Sequence, residues 1–484
     1  MGSFNDPEFQ HEISQTGFEF GKQAAIGEVD DDGKPKRTGT VWTAGAHIIT
    51  AVVGAGVLSL AWSVAQLGWI FGISIVLIFA AITLYTANLL ADCYRSPDPV
   101  TGKRNYTYME AVQNILGGGM YVACGWVQNI SLTGFVIGYT VTTSTSMVAV
   151  RKSNCFHKRG HEAGCKFSNN PYMIALGILE IFLSQIPNFH ELSWLSILAA
   201  VMSFGYAGIG IGLSITRIIS GQGGRTSITG VEVGVAVSQA EKIWRVCTAL
   251  GNIALACSYA QISIDIQKIL TFISCDLYVQ DTLKSSPPEN KVMKKAKMIG
   301  ISTMTIFFPM CGCLGYAAFG NDTRGNMLTG FGFYEPFWLV DLGNVLAQPV
   351  FHVVELWASM RWPKSEFVNV EYPMNIGKIK FSINSFRLIW RTIFVVMVTV
   401  LAMAMPFFNE MLALLGAIGF WPLGVYFPVE MYIAQKKIGK RTIRWFGLQI
   451  LNFVCLIVSL AAGCGAIQGM NKALHTTKPF QFKE

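Results

Sequence analysis

The sequence predicts an all-α, polytopic membrane protein with about eleven transmembrane helices, packed as a bundle in which helices 1 and 6 are broken. Hydrophobic residues make up 52% of the 484 residues and charged residues only 14%, a balance typical of multi-spanning membrane proteins. Apolar segments of near-spanning length recur along the chain, and the first carries two glycines at its middle. This composition argues against a soluble catalytic domain, and no basic patch interleaved with aromatic residues favours a nucleic-acid partner.

The first span is predicted at residues 41–67, after a polar N-terminal segment at 1–40. The segment lacks a short apolar run with a cleavage site, so we expect a cytoplasmic tail and no signal peptide. The span itself contains no Asp, Glu, Lys or Arg. At about 1.5 Å per residue it is long enough to cross a hydrocarbon core of roughly 30 Å.

Gly54-Ala55-Gly56 interrupts this first span near its middle. Glycine weakens a helix by about 1 kcal/mol relative to alanine, and an unwound backbone is tolerated inside a bilayer only where it lines a cavity or meets a ligand. Small residues also let membrane helices approach each other closely. The pattern alone therefore leaves a ligand site and a packing face as alternatives.

The later spans are predicted from apolar runs at 69–94, 119–149, 171–189, 191–216, 246–274, 298–320, 336–358, 388–408, 410–433 and 446–470. Lys and Arg are more frequent in the segments that face the cytoplasm if the N-terminus is inside, which favours that orientation. We expect residues 41–471 to form one transmembrane domain and 472–484 to form a short outer tail.

A second interruption is predicted in the sixth span, at Cys257, Ser258 and Tyr259. The hydroxyls of Ser258 and Tyr259 bring hydrogen-bonding groups to the middle of the membrane, where they can fix a polar ligand. Together with the first break, this matches a transporter plan in which the N-termini of half-helices face an anionic carboxylate.

Three ionisable residues in the predicted spans are functional candidates, because such residues are rare in membranes. His47 lies about two turns before Gly54, and its imidazole is suited to bind and release a coupling proton. A neutral histidine bonded to a neighbouring helix is the equal alternative. For Glu180 and Asp341 we favour structural roles over a proton relay.

Cys155, His157, His161 and Cys165 lie close together after the third span, in a predicted loop at 151–171. Thiolates and imidazoles at this spacing suit a zinc ion, but oxidising surroundings on the outer face favour a Cys155–Cys165 disulfide. We therefore expect no metal site.

Several long strings carry a family resemblance from about residue 36 to the C-terminus, among them AGAHIITAVVGAGVLSLAWSVAQLGWI at 44–70 and GFWPLGVYFPVEMYIAQKKI at 419–438. With these strings the chain resembles plant amino acid permeases of the amino acid/auxin permease family. The resemblance implies a LeuT-like bundle in the plasma membrane that symports amino acids with protons and needs no other cofactor. It implies that His47 is the family's first-span histidine and that the two-cysteine loop is a family feature. The substrate's amino and carboxyl groups would then bind at Val53, Gly54, Ala55, Gly56, Cys257, Ser258 and Tyr259.

Two segments depart from the family pattern. Residues 268–280 are an insertion at the cytoplasmic end of the sixth span, and the eighth span lacks about a dozen residues after Asn344. These departures motivate an alternative, a non-transporting amino acid sensor or an inactive splice form. An enzyme is disfavoured because we find no paired carboxylates, nucleophile elbow or H-E-x-x-H motif. The oligomeric state and the preference among neutral and acidic amino acids stay open.

Overall fold

The computed structural model describes residues 40–52, 56–105, 107–160, 164–184, 193–234, 237–258, 289–331, 337–346, 372–376, 379–383, 385–405 and 407–476. In these ranges the chain is a bundle of helices with two short antiparallel hairpins, which confirms the all-α class. The insertion at 268–280 and the part of the eighth span after Leu346 lie outside the described residues.

A described helix lies in each of the eleven predicted spans. The helices are α1 (Val41–Val52), α2 (Gly56–Asp92), α3 (Tyr108–Leu116), α4 (Gly118–Arg159), α5 (Asn170–Ser184), α6 (Ser193–Ile219), α7 (Gln239–Cys257), α8 (Glu289–Phe319), α9 (Met327–Gly330), α10 (Phe337–Leu346), α11 (Ser385–Ala404), α12 (Phe408–Gly419), α13 (Phe427–Gln435) and α14 (Ile443–Thr476). A π-helical turn, Phe420–Tyr426, joins α12 to α13. The hairpins pair β1 (Arg95–Ser96) with β2 (Lys103–Arg104), and β3 (Tyr372–Ile376) with β4 (Ile379–Ile383).

Six continuous helical segments among the described residues are each long and apolar enough to cross a membrane. They are Gly56–Asp92, Gly118–Arg159, Val201–Ile219, Asn290–Asp322, Phe408–Gln435 and Ile443–His475. The first contains the end of the first predicted span and all but the last two residues of the second. Gly68 separates these two parts, because its φ of 80° and ψ of 178° are not helical. An alanine Cβ at Gly68 would lie 2.2 Å from the carbonyl oxygen of Ile228, so only glycine fits this bend.

The predicted loop at 151–171 is partly wrong, because α4 continues in helical conformation to Arg159. The first half of that loop is therefore two helical turns that extend α4 beyond its apolar stretch. At the other end of the chain, α14 continues to Thr476, so the predicted tail at 472–484 begins as helix.

Polar contacts between chain segments distant in sequence tie together both ends of the bundle. At one end Asn290 and Lys294 of α8 bond the Asp92 carboxylate of α2, with N–O distances of 3.0 and 2.7 Å. Gln435 of α13 donates to the carbonyls of Arg95 and Pro97 beside the first hairpin. In the predicted topology, all these residues lie on the side of the membrane that also holds the N-terminus.

At the opposite end of the bundle, Lys242, near the start of α7, connects several chain segments. Its ammonium group donates to three backbone carbonyls, those of Gln66, Thr229 and Val231, at 2.6, 3.0 and 2.8 Å. Ala65 also accepts a hydrogen bond from the backbone N–H of Val231. The carbonyls of Ala65 and Gln66 end the first part of α2, where a helix leaves its acceptors unpaired. Lys242 and the 227–231 loop therefore complete the outer end of the first span.

Candidate functional site

Both predicted interruptions coincide with helix ends. Helix α1 ends at Val52 and α2 begins at Gly56, while α7 ends at Cys257 with Ser258 as its C-cap. Of the predicted binding residues, Gly56, Cys257 and Ser258 are described; Val53, Gly54, Ala55 and Tyr259 lie outside the described residues.

The two interruptions lie against each other in the bundle. A Cβ added to Gly56 would be 3.2 Å from the Cα of Ala256 and 3.4 Å from its backbone nitrogen. Gly56 is buried, and Ala256 and Cys257 are each 5% exposed. The first turn of α2 thus packs directly on the last turn of α7, in the interior of the protein.

Two helix poles meet at this contact. The first N–H groups of α2 lack intrahelical acceptors, and the last carbonyls of α7 lack intrahelical donors. A helix N-terminus carries roughly half a positive charge and a C-terminus roughly half a negative charge. One positive and one negative pole suit a small zwitterion, with its carboxylate at the start of α2 and its ammonium group at the end of α7.

Local side chains keep part of this backbone paired. Ser258 donates from its hydroxyl to the carbonyl of Ala254 at 2.6 Å and from its N–H to that of Leu255 at 3.0 Å. Ser59 donates from its hydroxyl to the carbonyl of Gly56 at 2.9 Å. Since the Ser258 hydroxyl hydrogen points back at α7, the lone pairs of its oxygen are what remain to accept from a ligand.

Helix α8 runs behind the first break and contacts both of its sides. A Cβ at Gly300 would lie 2.7 Å from the Ile48 side chain of α1, and one at Gly315 would lie 2.5 Å from the Cβ of Ala61 in α2. Ile48 and Ala61 are fully buried. Glycines thus let one continuous helix support both halves of an interrupted one.

Helix α12 supports the second break in a similar way. A Cβ on Gly416 would meet the carbonyl oxygen of Gly251 in α7 at 2.0 Å, so the two backbones touch. Next to Gly251, the buried Asn252 donates from its side-chain nitrogen to the side-chain oxygen of Asn409 at 2.8 Å. Sequence reasoning missed this pair, although an asparagine inside the apolar run ALGNIALAC is the signal that could have found it.

The ionisable candidates do not gather at the breaks. His47 belongs to α1, and its side chain lies outside the described atoms. Glu180 is 6% exposed in α5, which packs on α4 and α11. Asp341 is partly buried in α10, which packs on α6 and α4.

The cysteines considered for a metal site form a covalent link in the structure. Cys155 and Cys165 are joined by a disulfide with their Cα atoms 6.0 Å apart. His161 lies outside the described residues. Within the described ranges, no group of three or more His, Cys, Asp or Glu side chains is arranged to hold a metal ion.

Comparison with known sequences places this chain in a family. The sequence model of the transmembrane amino acid transporter protein family matches residues 37–471. Amino acid permease 1 of Arabidopsis thaliana is 53% identical over 494 residues, covering 99% of both chains. Amino acid permease 6 of the same plant is 54% identical over 487 residues, covering 98% of this chain and 97% of the relative. A solved structure of Mhp1, a nucleobase-cation-symport-1 family transporter with bound bromovinylhydantoin, aligns at 11% identity with a TM-score of 0.46, over 92% of this chain and 95% of that chain.

Proposed function

Because the chain belongs to the transmembrane amino acid transporter family, and so transports amino acids, we propose that it is a proton-coupled amino acid symporter of the plasma membrane. Its substrates are α-amino acids with neutral or acidic side chains. The proton gradient drives their uptake, and the binding site is exposed to the two sides of the membrane in turn.

The observation that carries this proposal is the contact of Gly56 with Ala256, where the N-terminus of α2 and the C-terminus of α7 meet in a buried position. Every α-amino acid carries a carboxylate and an ammonium group on one carbon. A site made of backbone poles recognises these two groups whatever the side chain, which is why the proposed specificity is broad. Val53, Gly54, Ala55 and Tyr259 complete the proposed site.

We assign the coupling proton to His47. It lies on α1 two turns before the break, at a distance of about 10 Å along the helix axis. An unperturbed imidazole titrates near pH 6.5, between an acidic exterior and a neutral cytoplasm. A proton taken up from outside can therefore be released inside.

The test is uptake of radiolabelled neutral and acidic amino acids at about pH 5 and about pH 7.5 in yeast lacking its own permeases, with surface expression measured in parallel. Uptake that is greater at the acidic pH supports the proposal. Good surface expression without uptake of any amino acid overturns it.

A binding measurement separates the remaining outcomes. If the purified protein is stabilised against heat by amino acids but transports none, the chain is a non-transporting binder, either a sensor or an inactive splice form. Transport that is equal at both pH values, and that persists when a protonophore collapses the gradient, removes the proton coupling and leaves amino acid transport.

A further inference from the structure

A strongly basic turn connects α13 to α14. Residues 436–444 contain Lys436, Lys437, Lys440, Arg441 and Arg444 and no acidic residue. All five cationic side chains are exposed. We call this segment the basic turn. It lies directly between two apolar helices, at the membrane end that also holds the first hairpin.

The backbone of the basic turn has a defined shape. Lys437 and Arg441 have left-handed φ angles of 49° and 74°, which residues other than glycine and asparagine rarely adopt. Thr442 closes the turn, donating from its N–H to the carbonyl of Gly439 and accepting at its hydroxyl from the N–H of Trp445. The cationic side chains therefore project from a fixed support.

Three of the five cations, which we call uncompensated, have neither a carboxylate nor an aromatic partner in the described part of the chain. Lys436 is attracted to Asp98, whose bonds from the backbone N–H groups of Thr101 and Val100 hold the pKa of its carboxyl below the usual range. Arg444 lies over the ring of Tyr432 and bonds its hydroxyl. No described carboxylate pairs with the remaining three, Lys437, Lys440 and Arg441.

An apolar stripe begins at the same point and runs along α14. Phe446, Ile450, Phe453, Ile457 and Leu460 recur at spacings of three or four residues, so they share one helix face. Their exposed fractions lie between 51% and 63%. Ile443, at the start of α14, is 93% exposed. This face has the length and chemistry to lie along lipid acyl chains.

From this juxtaposition we propose that the basic turn binds the headgroup of a polyanionic phospholipid, whose acyl chains lie along the stripe of α14. Three uncompensated cations match a phosphorylated inositol headgroup better than the single net charge of phosphatidylserine. A polybasic segment next to a membrane helix gains about 1 kcal/mol per Lys or Arg from an anionic surface. A soluble phosphate compound would use the cations but gain nothing from the stripe.

The experiment uses the full-length protein in nanodiscs of phosphatidylcholine, with phosphatidylinositol 4-phosphate or a charge-matched amount of phosphatidylserine added. Lipid retained by the protein is measured by native mass spectrometry, and thermal stability is followed in parallel. We compare wild type with the triple variant Lys437→Gln, Lys440→Gln, Arg441→Gln. The control, Lys158→Gln, Arg159→Gln, Lys166→Gln, removes three exposed cations at the other end of the bundle.

We expect wild type and the control to retain the inositol lipid in preference to phosphatidylserine, and the basic-turn variant to bind it at least about tenfold more weakly. Equal retention by the variant and wild type would overturn the proposal. So would equal retention of both anionic lipids, or displacement of the lipid by soluble inositol bisphosphate at comparable concentration. Amino acid binding by the variant checks that it is folded and keeps this outcome separate from the proposed transport.

Discussion

Substitution of Gly56 by leucine tests the buried contact between the two interrupted helices. A Cβ at Gly56 would stand 3.2 Å from the Cα of Ala256 and 3.4 Å from its Cβ and backbone nitrogen. These atoms belong to the last turn of α7, which unlike a flexible side chain cannot turn aside. The Gly56→Ala variant therefore needs a shift of a few tenths of an ångström, whereas Gly56→Leu forces three more carbons into the same space.

Overpacking of this kind costs about 1–3 kcal/mol. If the cost falls on the state that binds substrate, it weakens affinity about 5- to 150-fold, since 1.4 kcal/mol corresponds to a factor of ten. We expect Gly56→Ala to lie near the lower limit and Gly56→Leu near the upper one. The order of the two variants is part of the prediction, because it follows from the volume added to one contact.

The concentration dependence of amino acid uptake gives KM and Vmax, and surface labelling gives the amount of transporter. Gly212→Leu is the matched control, because a Cβ at Gly212 of α6 meets nothing within 4 Å and the residue is exposed. The control should transport as wild type does. Unchanged KM and Vmax in Gly56→Leu at normal surface levels would refute the reasoning.

Three further predictions concern other parts of the chain. Lys242→Met should lower the melting temperature of the purified protein, because three carbonyls lose a charged donor worth at least about 2 kcal/mol in total. Lys242→Arg should restore part of that stability. An unchanged melting temperature in Lys242→Met would contradict this prediction. His47→Ala should flatten the pH dependence of uptake, whereas an unshifted profile would assign His47 to structure. Replacing Cys155 and Cys165 by serine should cost roughly 3 kcal/mol of stability, seen as a lower melting temperature that reducing agent does not lower further.

The sequence predicted the helix interruptions because their causes are local. The glycine pair at 54 and 56 lies in the middle of an uncharged run, and α1 ends at Val52 and α2 begins at Gly56. The boundary between the first two spans was predicted at Gly68, where the backbone leaves the helical region. In both cases, the hydropathy of the sequence predicts the length of the segment, and glycine marks the position where the regular helix is interrupted.

Features that depend on partners distant in sequence could not be predicted. Gly208 and Gly212 have the spacing of a packing face, yet a Cβ on either would meet nothing within 4 Å, whereas Gly210 faces Met327. Spacing gives a face of a helix but not what covers it. Lys242 donates to the carbonyl of Gln66, 176 residues away, and no local sequence pattern predicts such a bond.

Hydropathy also failed at the end of α4, for a different reason. Most residues from Arg151 onward are polar or charged, so the apolar run ends, but the helix continues to Arg159. A drop in hydropathy marks the edge of a membrane, while a helix ends where backbone conformation changes, here at Gly160 with a φ of 81°. The two boundaries differ by about ten residues, or about 15 Å.

Neighbouring helices hold the two helices that flank residues 53–55. Helix α8 contacts α1 through Gly300 and α2 through Gly315, and Lys242 holds the outer end of the first span against α7. The described helices before and after residues 53–55 are thus both fixed by close contacts. Inside a membrane, each unpaired backbone group costs several kcal/mol. The proposed site answers this cost, because a zwitterion bound where the ends of α2 and α7 meet at Gly56 and Ala256 would pair with backbone groups that these two helix ends leave without intrahelical partners.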